Sequence, residues 1–205
     1  LSAGLLSLTF HRATNKGRGS EDGDGTASPF FRPKESPMQF RTMRRSRQLL
    51  SHEESEAVLR RGSHGILACL GDGDYPYAVP LNYVYYDGKI FLHSAKEGHK
   101  VDAILHHPKV SFTVVDEDTI IGKEYTSYFR SVIVFGKASI AEGRAWKDAF
   151  LAMADKYCAS QPIAERLEKL ETCSQALIIV IEIEHCTGKE AVEYVRAKTD
   201  TALSC

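Results

Sequence analysis

Tyr77-Ala78-Val79-Pro80-Leu81-Asn82-Tyr83-Val84-Tyr85-Tyr86-Asp87-Gly88-Lys89-Ile90-Phe91-Leu92-His93 decides how the rest of the chain is read. Two aromatic and β-branched runs flank Asp87-Gly88, the two-residue signal for a tight hairpin whose central positions need positive φ. Strands joined this way are antiparallel, so the fold grows by hairpins rather than by helical crossovers. The segment that follows is His93-Ser94-Ala95-Lys96-Glu97-Gly98-His99-Lys100, and then Val101, Ile104 and Leu105 fall on one helical face. It reads as a strand end, a cationic turn with Gly98 freeing the backbone, and a helix over 97–106. The turn gathers backbone N–H groups, the Ser94 hydroxyl, Lys96, Lys100, His93 and His99. Cations in a first helical turn oppose the helix dipole unless an anion sits there, so the pattern points to an anion site, a phosphate above all.

Outward from this core, Ser51-His52-Glu53-Glu54 is a capping box that opens a helix ending at Gly62. Strands are predicted over 64–70, 77–86, 89–93, 109–115, 128–140 and 175–184, with Gly136 marking a bend or bulge. Helices are predicted over 142–157 and about 163–170, and the acidic run Asp116-Glu117-Asp118 reads as a solvated loop. Leu177-Ile178-Ile179-Val180-Ile181 reads as buried on both faces. The expected fold is mainly β (α+β), a six-stranded antiparallel barrel with peripheral helices. Helix–strand alternation is too sparse for a doubly wound sheet. The tyrosines of the middle strands are read as barrel core and interface, or as a platform for a planar cofactor.

Residues 1–42, with their Gly-rich charged run and Pro33 and Pro37, are expected to be a disordered or non-native leader. Met38 or Met43 makes a natural start. The folded domain is expected over 43–195 and a flexible tail over 196–205. A net charge of −1 speaks against a nucleic-acid partner, and the absence of an apolar run near ~20 residues speaks against a membrane span. Five cysteines without CxxC spacing suggest reduced thiols and a cytoplasmic protein, with Cys69 a small core residue. No metal site is expected, since the histidines lack ligand spacing and His106 and His107 are adjacent. GxGxxG, GxxxxGK[ST] and GxSxG are missing from the chain.

The stretches 74–83 and 87–100, supported by Tyr128–Gly136 and Ile181–Glu190, resemble the flavin-binding split-barrel proteins of the pyridoxamine-phosphate-oxidase-like superfamily. Within it, the likeness is to the 5-nitroimidazole-resistance, nitroreductase-like branch. The resemblance implies an FMN at a homodimer seam, with the strand Val79-Pro80-Leu81-Asn82 along the isoalloxazine edge. It implies Ser94, Lys96, His99 and Lys100 at the phosphate, with Gly98 shaping the turn. Ser131 falls where the next strand approaches the cofactor, and His93 is the substrate-side candidate. Asn82 and Tyr77 stand where the vitamin-forming oxidases carry basic residues, so pyridoxal-phosphate synthesis is not expected. The function implied is an FMN oxidoreductase reducing a small electrophile such as a nitroaromatic, with NAD(P)H as donor. The alternatives are a non-catalytic flavin-binding module and a haem-binding or haem-degrading protein with His93, His99 or His185 as axial ligand.

Overall fold

A computed structural model describes residues 38–173 and 176–203. The hairpin at its centre forms as the sequence predicts. β2 (Pro76–Tyr86) and β3 (Lys89–Ser94) are joined at Asp87 and Gly88, with φ of 49° and 72°. β1 (His64–Leu70), β4 (Lys109–Ile121), β5 (Thr126–Ile140) and β6 (Leu177–Glu190) complete a closed ring in the order β1-β2-β3-β6-β5-β4. Every pairing is antiparallel, and β1 closes the ring against β4. Side chains alternate as a barrel wall requires. On β5, Val132, Val134 and Ala138 are buried, whereas Ile133, Phe135 and Lys137 face outward. Leu67, Tyr83, Ile90, Phe112 and Ile181 fill the interior with no measurable exposure.

Among the described residues, five α-helices surround the ring: α1 (His52–Arg61), α2 (His99–His106), α3 (Gly143–Tyr157), α4 (Ile163–Thr172) and α5 (Val192–Leu203). The capping box is present on α1, with Ser51 accepting from the Glu54 N–H and the Glu54 carboxylate accepting from the Ser51 N–H. α3 packs Ala149 and Met153 on the outer face of β2, β3 and β6, against Val84, Phe91 and Ile178. Gly136 sits at the β5–β6 register shift, and its backbone runs so close to β6 that a Cβ would lie 2.2 Å from the Glu182 carbonyl oxygen. Cys69 is buried in the core, as expected.

Three expectations are corrected. The acidic run is not a loop: β4 continues through it across a bulge between Val115 and Glu117. Asp116 there accepts two 2.6 Å bonds from Arg61, and Glu117 pairs with Arg130. These partners come from elements far away in sequence, so local polarity misleads. β6 extends to Glu190 rather than 184, because 185–190 pair with 130–135 of β5 beyond the register shift, and the buried Glu190 carboxylate is held by Arg130 Nε at 3.3 Å and Lys198 Nζ at 2.6 Å. For the same reason 196–203 is no loose tail but the second half of α5, fastened by Lys198. At the other end, residues 1–37 of the expected leader lie outside the described residues, and Phe40 already belongs to the fold. Its ring stacks on His185 at 4.5 Å between centroids.

Gly136→Ala is expected to destabilise the protein by on the order of 3 kcal/mol, as forced overpacking against rigid backbone does. A urea-denaturation midpoint measures it, and an unshifted midpoint contradicts the close approach. The C-terminal clamp also predicts an acid response. Hydrogen bonds from Lys198 and from the Ser51 N–H hold the Glu54 carboxyl below its ordinary value of 4.5. Burial opposes the charge on Lys198, but its bonds to Glu190 and Glu54 outweigh this and raise its pKa. A carboxyl depressed in the folded state stabilises above its ordinary pKa and loses that contribution as pH falls. Melting temperature is therefore expected to fall below about pH 4.5, and Glu54→Gln to remove part of that slope. A variant with the wild-type acid profile contradicts the assignment.

Candidate functional site

The barrel is split along β2. Residues 76–82 of β2 pair with β1, whereas only Tyr83–Tyr86 pair with β3. The β2–β3 ladder stops at Tyr83↔Leu92, so the next pair of positions, Asn82 and His93, face each other across an opening. Beyond it the β3-facing edge of 79–82 has no strand partner among the described residues, and an unpaired strand edge presents N–H and C=O groups to whatever binds there. A cavity of about 400 Å³ occupies the opening, lined by His64, Pro80, Leu81, Asn82 and His93.

The structure thus brings Pro80, Leu81, Asn82 and His93 together. Val79 and Leu81 turn their side chains toward the core and pair with β1, and Val79 does not line the opening. Asn82 Nδ2 donates to the Ser63 carbonyl at 3.0 Å, which fixes the side chain at the mouth. His93 is exposed on the opposite bank.

The cationic turn is less uniform than its sequence suggests. Gly98 caps α2 with φ of 124°, a conformation open to glycine, and no side chain caps this helix. Lys96 is exposed on the turn and Lys100 half-buried in the first turn of α2. Ser94, however, is buried and donates its hydroxyl to the Ala95 carbonyl at 2.8 Å. His99 turns back on β2: its ring stacks on Tyr77 at 4.1 Å, and its Nε2 accepts from the Asp72 N–H at 3.3 Å. Ser94 is thus bonded within the turn, whereas His99 ties the start of α2 to β2 and to the segment before it. Ser131 lies on β5, diametrically opposite β2 in the ring, so one barrel does not bring it to the opening. The tyrosines form no common platform either. Tyr83 and Tyr85 are core, Tyr77 holds His99, and Tyr75 and Tyr125 are 78% and 98% exposed.

Sequence reasoning missed the two residues that prop the split. β1 begins at His64, opposite Asn82, so Tyr83 has no β1 partner for its backbone. The Tyr157 hydroxyl accepts from the Tyr83 N–H at 3.0 Å and donates to the Tyr83 or Ser63 carbonyl. Lys156 Nζ donates to the Gly62 and Tyr83 carbonyls at 2.6 and 3.0 Å and lies over the Tyr83 ring. Burial lowers the Lys156 pKa. The end of an amphipathic helix carries no sequence signal that its last two residues will replace a strand some 74 positions away.

A family model described as pyridoxamine 5'-phosphate oxidase matches residues 51–190. The chain belongs to this family. The match runs from the α1 cap to the last residue of β6 and so takes in the whole barrel of this pyridoxamine 5'-phosphate oxidase family member. Among solved structures, it is similar to a conserved hypothetical protein of Mycobacterium tuberculosis (21% identity, 73% of this chain and 90% of that one, TM-score 0.63). A candidate 5-nitroimidazole antibiotic resistance protein of Bacteroides thetaiotaomicron matches at 18% identity over 69% and 86% of the two chains, with a TM-score of 0.58. A FAD-binding protein of Mesorhizobium loti matches at 27% identity over 70% and 96%, with a TM-score of 0.52. No curated protein matches the chain in sequence. Among the described residues, no helix is long and apolar enough to cross a membrane, and no group of three or more His, Cys, Asp or Glu is placed to hold a metal ion.

The cysteines give an independent check on this geometry. Cys158, just beyond α3, is exposed, whereas burial pushes the Cys69 thiol up and the Cys186 thiol to about 11. Iodoacetamide at pH 8 is expected to alkylate Cys158 well before Cys69 or Cys186, since the thiolate is the reactive form. Peptide mass mapping reads the order, and early modification of Cys69 contradicts the core packing.

Proposed function

We propose that this protein is an FMN-binding oxidoreductase that works as a homodimer and reduces a small electrophile such as a nitroaromatic, with NAD(P)H as the electron donor. One observation carries the reading: the open edge of β2 at Asn82, facing His93 across the split. The pyrimidine side of a flavin is a row of alternating C=O and N–H groups, and the open edge offers the Pro80 carbonyl and the N–H and carbonyl of Asn82 in return. The residues fit the group. Backbone of 79–82 would hold the ring edge, and Lys96, Lys100 and the N–H groups opening α2 would meet the phosphate. His99 and Ser94 act one step back, fixing the turn that presents them. Bound there, the flavin supplies hydride or single-electron transfer. The chain's own part is to orient the ring and to hold His93 on the substrate side.

The dimer reading rests on the outer wall. Ile66, Val115, Ile133 and Phe135 are each about two-fifths to one-half exposed on β1, β4 and β5. The registers Ile66↔Thr113↔Ile133 and Val115↔Ser131 put them in neighbouring rows of one face. Such a contiguous apolar face suits a second copy, and Ser131 shares it. Ser131 would therefore serve the site of the partner subunit. Vitamin synthesis does not fit, because Tyr77 stacks on His99 and Asn82 is bonded to Ser63, so neither position supplies a cation. Of the histidines considered as haem ligands, His99 and His185 each stack against a ring. The free thiols of Cys69, Cys158, Cys173 and Cys186 suit a cytoplasmic setting.

Flavin fluorescence quenching on titration with FMN tests the reading. Wild-type protein is expected to bind, and Lys100→Ala to bind more weakly by roughly 1.5–3 kcal/mol, about ten- to a hundredfold. Reduction of the bound flavin by NAD(P)H, followed by turnover of a nitroimidazole, separates an oxidoreductase from a passive carrier. A protein that takes up no FMN overturns the proposal.

A further inference from the structure

A second cavity adjoins the split and belongs to the helical hairpin rather than to the barrel. α3 and α4 enclose about 640 Å³ beside β2 and β3, and this space shares Asn82 and His93 with the opening. Its volume is that of a site for a small organic ligand. One wall is apolar: Phe150, Met153 and Ala154 of α3. Phe150 stacks on Trp146 at 5.3 Å, which fixes a flat ring in that wall, and a thioether beside it favours contact with an aromatic guest. The other wall is one face of α4, where Glu165, Arg166 and Lys169 follow helical spacing.

That face brings two cations and one carboxylate to the lining. Arg166 and Lys169 oppose the single carboxylate of Glu165. Among the described residues neither the Lys169 nor the Glu165 side chain has a partner. Arg166 is largely buried and pairs with Asp155, which does not line this cavity. The lining thus asks for a flat apolar body with an acceptor-rich, negatively charged end.

We propose that the α3–α4 cavity binds an aromatic carboxylate of one or two fused rings, its ring against Phe150 and Met153 and its carboxylate on Lys169 and Arg166. As the substrate-side neighbour of the flavin opening this assignment rests on the function proposed above, but the binding itself does not require flavin. It narrows the substrate class from small electrophiles to aromatic acids whose far end reaches Asn82 and His93.

Calorimetric titration of the full chain with 2-naphthoate and with 2-naphthylmethylamine tests it. Saturable binding of the acid, at least about tenfold tighter than the amine, is expected, as is protection of Cys158 from iodoacetamide by the acid. Lys169→Gln is expected to weaken the acid about tenfold while leaving FMN uptake unchanged, and Ala154→Leu, which fills the apolar side, to abolish binding of both. No binding of the acid, equal binding of acid and amine, or a Lys169→Gln variant with wild-type affinity overturns the proposal. Naphthoate binding in a protein that takes up no FMN overturns only the flavin reading. FMN uptake without naphthoate binding overturns only this one.

Discussion

The fold depends on a divided strand. β2 serves β1 with its first seven residues and β3 with its last four, and the changeover falls between Asn82 and Tyr83. Backbone groups cannot be left dry and unpaired in a barrel wall without a cost of a kilocalorie or more each. The protein meets this on one side with the Tyr157 hydroxyl and the Lys156 ammonium, which take the places of strand neighbours at Tyr83. On the other side, along 79–82, nothing described fills the gap. An otherwise closed barrel therefore keeps one polar seam open, and the cavities at Asn82 and His93 sit on that seam.

A second constraint holds the far end of the ring. Glu190 is a buried carboxylate, stable there only because Arg130 and Lys198 surround it, and removing either would strand the charge. Arg130 in turn bridges to Glu117 and lies over the Tyr194 ring, and Tyr194 bonds Glu117. The network joins β4, β5, β6 and α5, on the wall opposite the seam.

Local signals made most of the architecture legible. The Asp87-Gly88 turn and the α1 capping box each follow from a few adjacent residues, and both appear where the sequence puts them. The seam's own residues, Pro80 to Asn82 and His93, were also within reach, because they sit on a recognisable strand and its return. What stayed hidden depends on distant partners. Asp116 reads as solvated until Arg61 is beside it, and the α5 segment reads as a tail until Lys198 meets Glu190. The serine of the cationic turn bonds the Ala95 carbonyl, and His99 reaches back to Asp72 and Tyr77, partners that no local pattern announces. The α3–α4 cavity exists only because two helices with ordinary amphipathic patterns fold over β2 and β3.

The open β2 edge and the start of α2 are proposed to hold a flavin together. Backbone hydrogen exchange, measured with and without FMN, tests it at the amides involved. Slowed exchange at the Asn82 amide and at residues 98–101, with little change along β4, is the expected result. FMN binding that leaves those amides exchanging as before, or that protects a different face of the barrel, contradicts the account.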